Sequence, residues 1–203
     1  MGVKRWIDIF RRAQRRGETY PAELAFLLDT PLRALVQFSP ATLADRLNLT
    51  SNWTVLELGP GPGYFSAEVA RRLSSGRLVL CDLQPAMLLR ARAKLARREI
   101  HNPDYICADA TALPLGNHAV DAAFLVTVLG EVSRPLDCLR ELARVLKPQG
   151  RLSISEARND PDFITIDELT LMAAQAGFKF IERFGSERNF TANFRGAQGR
   201  EPN

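Results

Sequence analysis

Three kinds of residue stand at spacings that can hold a nucleotide-like ligand. Glu57, Gly59, Gly61 and Gly63 form an E-x-G-x-G-x-G run, and Asp82 and Asp109 follow it along the chain. Glycine lets a backbone turn sharply and approach a ligand where a Cβ would intervene. An acid closing the second strand of a nucleotide-binding α/β unit can accept hydrogen bonds from both hydroxyls of a ribose. Such charge-assisted bonds contribute roughly 1.5–3 kcal/mol each. Asp109 can accept from an adenine amino group, and the Ala110 backbone N–H can donate to the ring.

The surrounding pattern supplies the elements that must position these residues. Val55 to Leu58 is a short apolar run that predicts a buried strand, and Ser66 to Leu73 resumes with helical spacing. Leu78 to Cys81 predicts a second strand ending at Asp82, Tyr105 to Ala108 a third ending at Asp109, and Ala119 to Val126 a fourth. After a turn at Lys147-Pro-Gln-Gly150, Leu152 to Ser155 predicts a fifth. Helices are expected over Pro85 to Arg98, where Met87, Leu88, Ala91 and Leu95 share one face, and over Pro135 to Leu146. Arg90, Arg92, Lys94, Arg97 and Arg98 then form a solvated face. Thr165-Ile-Asp-Glu168 has the form of a capping box for a helix ending near Ala176. Phe178 to Phe184 and Asn189 to Phe194 predict a closing hairpin, and Asp121, at the far end of the fourth strand, is structural.

A dinucleotide-binding G-x-G-x-x-G would place its third glycine at Tyr64. That bulky residue, with the additional Asp109, disfavours a nicotinamide dehydrogenase. Glu57–Gly63, Asp82, Asp109-Ala110 and Arg144-Val-Leu-Lys-Pro-Gln-Gly150 together resemble the class I S-adenosylmethionine-dependent methyltransferases, in the branch with the ubiquinone and menaquinone biosynthesis enzymes. The resemblance covers roughly residues 50–195. It implies a Rossmann-like three-layer α/β sandwich, with a seven-stranded, mostly parallel sheet whose last strand is antiparallel, plus N-terminal helices. Residues 1–52 would be a helical extension or lid, 53–196 the cofactor-binding domain and 197–203 a frayed tail.

The cofactor implied is S-adenosyl-L-methionine, giving S-adenosyl-L-homocysteine, held by Glu57, Gly59, Gly61, Gly63, Asp82, Leu83, Asp109, Ala110 and Leu125. Gln149 departs from the family pattern, which usually has a glycine there.

Transfer of a methyl from a sulfonium needs alignment above all, which can save roughly 7–11 kcal/mol. A base is needed only where the acceptor must lose a proton. Tyr64, Glu131, Glu156, Asn159 and Asp160 follow strands at the expected ligand edge and are the acceptor-side candidates. Against those roles stand a helix-start aromatic, a helix N-terminal acid and a polar surface loop. His101 and His118 fall in loops at the opposite end or the surface. Thr127-Val-Leu-Gly replaces the Asn/Asp-Pro-Pro-Tyr motif of amide and ring-nitrogen methylation. Leu125, Val128, Leu129 and Phe163 suit either a lipophilic small-molecule acceptor or a core. A cofactor-binding sensor or assembly protein without catalysis is the alternative.

The 203 residues carry a net charge of +4, but residues 1–17 hold six basic side chains against Asp8, a balance of +5. The rest of the chain is nearly neutral. Arg5 to Arg16 can form a helix with Trp6, Ile9, Phe10 and Ala13 on one face. It reads as a lid over the site or as a contact with an anionic membrane surface. Nucleic acid is disfavoured, because base-stacking aromatics are not interleaved with the charges. Pro21 to Leu28 and Ala41 to Leu47 are further helices, the latter capped by Ser39-Pro40. Cys81, Cys107 and Cys138 lack any C-x-x-C pair, so no metal site is expected, and Cys81 and Cys107 read as core residues. No apolar run reaches the ~18 residues of a membrane span, and no signal peptide is evident. The expectation is a cytoplasmic protein, peripheral at a membrane if the basic segment binds one, with the oligomeric state open.

Overall fold

Val55, Leu56 and Leu58 are buried on both faces of a strand, as a parallel sheet covered by helices on each side requires. The computed structural model describes residues 39–196. The helices expected over residues 5–16 and 21–28, with their lid and membrane roles, lie outside the described residues, as does the tail from 197.

Seven strands form one sheet: β1 (Thr54–Leu58), β2 (Arg77–Asp82), β3 (Pro103–Cys107), β4 (Val120–Val126), β5 (Leu146–Ala157), β6 (Phe178–Gly185) and β7 (Asn189–Gly196). Their order is β3-β2-β1-β4-β5-β7-β6. β1 pairs in parallel with β2 and β4, and β4 with β5. β7 alone runs antiparallel, inserted between β5 and β6. The chain order reverses between β1 and β4, which is where open α/β sheets bind ligands, beyond the carboxyl ends of the strands.

Among the described residues, five helices flank the sheet: α1 (Pro40–Leu47), α2 (Ser66–Arg72), α3 (Pro85–Ala96), α4 (Pro135–Val145) and α5 (Ile166–Gln175). One core layer joins Leu43 and Leu47 of α1, Val69 of α2 and Leu88, Ala91 and Leu95 of α3 to Val55, Leu78, Leu80 and Phe124 of the sheet. The other joins Cys138, Leu139 and Leu142 of α4 and Leu169 and Ala173 of α5 to Leu56, Leu125, Ile154 and Phe194. The three layers that the family resemblance implies are present.

Local signals act as their chemistry dictates. Ser39 caps α1 by accepting from the Thr42 N–H at 3.1 Å. Thr165 and Glu168 make the reciprocal capping box of α5. Asp121 sits at the amino end of β4, where its carboxylate accepts from the Thr54 N–H at 2.8 Å and from Lys147 Nζ at 2.6 Å. It is structural, as expected.

Three boundaries differ from expectation. β3 ends at Cys107, so Asp109 lies two residues beyond it, and Cys107 is exposed on this edge strand instead of buried. β5 starts at Leu146, and Lys147–Gly150 is an excursion within it. Val120 pairs with Leu146 but Ala122 with Arg151, and Gln149 takes a left-handed φ of 63°. At its other end β5 continues to Ala157, because Phe190 and Asn189 of β7 pair with Glu156 and Ala157. Glu156 is therefore inside the strand, not after it.

Candidate active site

The carboxyl ends of β1, β2 and β4 bring the glycine run, Asp82 and the segment after Val126 together. Gly59, Gly61 and Gly63 have φ of 67°, 54° and 79°, a region open to glycine at little cost. The Gly59 N–H donates to Cys81 O at 2.8 Å, tying the turn to β2. Asp82, 7% exposed, accepts from the Gly61 N–H at 3.2 Å and the Gln84 N–H at 2.9 Å, one on each carboxyl oxygen. Burial raises its pKa, opposed by those two bonds. A carboxylate has about four lone-pair sites, so about two are left for a ligand. Asp82 thus couples the glycine turn to the start of α3.

Leu83, next in sequence, is 55% exposed and presents an apolar surface beside that carboxylate. Asp109 is exposed and accepts from the Thr111 N–H and hydroxyl, each at 2.8 Å. These bonds, the backbone one foremost, hold its carboxyl below the usual range. Arg134 Nη2 donates to the same Thr111 hydroxyl at 3.1 Å. The turn from Asp109 is closed by the Ala112 N–H on Asp109 O. Glu57 is 3% exposed within β1, paired in register with Leu80 and Phe124, and Leu125 is 1% exposed in β4.

The acceptor-side candidates do not form one group. Tyr64 packs toward α3, edge-on to Phe65 at 4.9 Å and with Lys94 Nζ 5.8 Å from its ring centre. Glu131 and Glu156 lie on the other side of the β1–β4 crevice, with Asp160 and Asp162. Glu156 is 2% exposed, and burial first, then Asp160, Asp162 and Glu131, push its pKa well above the usual carboxylate range. The Ile164 N–H bonded to this carboxyl opposes the shift. It is no part of a polar surface loop. Asp160 accepts from the Asp162 N–H at 2.9 Å in the turn that follows β5.

Of the apolar residues near the edge, Leu125 and Leu129 are fully in the core, and Phe163 packs on Phe190. Val128 is the cover of Gly59. His118 Nδ1 lies 2.9 Å from Leu146 O at the amino end of β4, away from the site. Burial pushes the Cys81 and Cys138 thiols up to about 12. Two features escaped the sequence reading. Thr127, just past β4, has a φ of 52°, unusual for a β-branched residue, while its N–H donates to Ser155 O at 2.8 Å. Asp162 is 4% exposed although it lies in a polar run. No local signal marks either one.

A family model described as a methyltransferase domain matches residues 56–154. The malonyl-[acyl-carrier protein] O-methyltransferase of Marinomonas sp. is 31% identical over 148 residues, 73% of this chain and 51% of that protein. The ubiquinone/menaquinone biosynthesis C-methyltransferase UbiE of Escherichia fergusonii is 33% identical over 135 residues, 66% of this chain and 52% of its own. The chain spans about half the length of the curated relatives it matches. A solved SAM-dependent methyltransferase from Aquifex aeolicus superposes with a TM-score of 0.80 at 22% identity, covering 87% of this chain and 99% of that one. The motifs, the strand order and these matches agree: residues 56–154 form a methyltransferase domain, and the chain is similar in sequence and fold to the class I S-adenosylmethionine-dependent methyltransferases.

Proposed function

We propose that this protein transfers a methyl group from S-adenosylmethionine to a small-molecule acceptor. The observation that carries the reading is Asp82: a buried carboxylate, oriented by the Gly61 and Gln84 N–H groups, with acceptor capacity left over. These residues fit the family's cofactor. Asp82 would hold the ribose hydroxyls, and Asp109 with the Ala110 N–H the adenine edge. Leu83 would cover the ring, and Glu57, Leu125 and the glycine turn would bound the rest. When bound, the cofactor supplies a sulfonium-activated methyl. The chain's own residues orient the reactants and keep water from the apolar side near Leu129 and Phe163.

The relatives' names, a C-methyltransferase of ubiquinone/menaquinone biosynthesis and an O-methyltransferase of malonyl-[acyl-carrier protein], support an acceptor that is a small molecule or a small acyl group. Among the described residues no helix is long and apolar enough to cross a membrane. A membrane contact through residues 1–17 and a cytoplasmic location belong to the proposal, not to the described structure.

The test is calorimetric titration with S-adenosylmethionine and S-adenosylhomocysteine, on wild type and Asp82→Ala. Each lost hydroxyl bond is expected to weaken binding about 10- to 150-fold. Failure of the folded wild type to bind either ligand, or unchanged binding by a folded Asp82→Ala, would overturn the reading.

A further inference from the structure

Glu156 ends the face of β5 that carries Leu152 and Ile154 into the core, while Ser153 and Ser155 point to the opposite face. It stands at the carboxyl edge, one residue past Ser155, which pairs with Val126. Leu58 pairs with Leu125, so two strand spacings, roughly 10 Å, separate Glu156 from the glycine turn. One carboxyl oxygen accepts the Ile164 N–H. The other, Oε1, is buried and has no hydrogen-bond partner among the described residues. An unmet buried polar atom costs about what a lost hydrogen bond does, so its presence at a ligand edge points to a ligand.

The groups facing it decide which ligand. Glu131 faces it from the turn after β4, and Asp160 and Asp162 from the loop after β5. Phe190, its partner on β7, and Ile164, ahead of α5, carry no charge. Burial among carboxyl groups favours the neutral acid. With the Ile164 N–H filling one oxygen, the acid proton belongs on Oε1, which is then a donor. Gly130 seals the two loops together, since a Cβ there would collide with Asp162.

We propose that Glu156 offers a carboxyl O–H to a carbonyl oxygen of the acceptor, so that this end of the site selects acceptors bearing a neutral ketone. The inference rests on the methyltransferase reading and names the acceptor chemistry for the same site. A neutral carboxylic acid is suited to this role, because its O–H donates to the carbonyl oxygen without adding a further negative charge beside Glu131, Asp160 and Asp162.

The test uses the full chain saturated with S-adenosylhomocysteine and two probes of one skeleton, 1-tetralone and tetralin, which differ only by the carbonyl. Wild type is expected to favour 1-tetralone about three- to tenfold at mildly acid to neutral pH. The preference should fade as pH rises through the elevated Glu156 pKa. Glu156→Gln keeps an N–H donor, so it should retain the preference with no pH dependence. Glu156→Leu should lose it.

Equal affinity for the two probes at every pH, binding of neither, or loss of the preference in Glu156→Gln would overturn the inference. Binding of S-adenosylhomocysteine reports that each variant is folded. Its absence in wild type would instead overturn the methyltransferase reading itself.

Discussion

Val128 roofs Gly59. A Cβ built on Gly59 would meet Val128 Cγ2 at 2.5 Å and Cγ1 at 2.8 Å, and Gly59 has a φ of 67°. The first turn of the cofactor loop is thus constrained twice, by backbone conformation and by the residue that follows β4.

The two constraints can be separated by mutation. Gly59→Ala is expected to destabilise by about 2–4 kcal/mol, about 1–2 from the left-handed backbone and the rest from overpacking. It should also weaken S-adenosylhomocysteine binding. Val128→Ala in the same chain should recover only the overpacking part. Urea midpoints of the single and double variants check this; full recovery would mean that backbone strain contributes nothing.

Arg144 pins the segment after β3 to α4. Its guanidinium binds both Glu141 oxygens, at 2.6 and 2.9 Å, and donates to Leu113 O, Leu115 O and Asn117 Oδ1. Lysine cannot reproduce that fork. Arg144→Lys should cost about 1–2 kcal/mol, a modest figure because the pair is partly solvent-screened.

The Arg144 bonds, foremost, lower the Glu141 pKa. A carboxyl depressed in the folded state stabilises above its unfolded pKa of about 4.3, and that share is lost as pH falls through the folded value. The gap between wild type and Arg144→Lys should therefore narrow in acid. Urea unfolding at about pH 7 and about pH 3 measures it; a constant gap would remove Glu141 from the account.

The cofactor half was legible because its chemistry is local. Glycine at Gly59 to Gly63 and acids after apolar runs announce a turn and two acceptors, whatever packs around them. The acceptor half was not. Glu156 follows Ser155, and two polar residues read as a strand's end, yet pairing with β7 carries the strand through both.

Ser153, Ser155, Thr191 and Asn193 likewise have the alternation of a solvent-facing surface, and all four are buried beneath α1. Alternation reports that two faces differ, but not what covers the polar one. Thr127 is harder still, since its positive φ runs against the preference of a β-branched residue.

Gln149 offers a gain in stability. It is the position where the family pattern has glycine, and its φ of 63° explains why. Gln149→Gly should relieve about 1 kcal/mol of left-handed strain, less the entropy glycine brings to the unfolded chain. Gly150→Ala should do the reverse, because its Cβ would lie 2.7 Å from Lys147 O and 3.1 Å from Asp121 O. The bend is remote from the cofactor residues, so S-adenosylhomocysteine affinity should stay unchanged in Gln149→Gly while its melting temperature rises; a fall in melting temperature would refute the strain argument.

Asn193 is the centre of the polar seam under α1. It is fully buried and accepts from the Ser153 hydroxyl at 2.6 Å. Its amide donates to Arg46 O at 2.9 Å and to Glu182 Oε1 at 3.1 Å. Arg46 O belongs to the last turn of α1, whose carbonyls have no partner within the helix. Arg151 Nη1 takes the next one, Leu47 O, at 3.1 Å. The sheet therefore caps the helix that packs on it.

Asn193→Leu keeps the volume but orphans the Ser153 hydroxyl and the Arg46 carbonyl, so it should cost about 2–4 kcal/mol. Adding Ser153→Ala removes one orphan, and the double variant should be more stable than the sum of the single effects by about 1 kcal/mol. Denaturant unfolding of the four proteins in that cycle measures the coupling. Strict additivity would mean that the two side chains do not act as a pair.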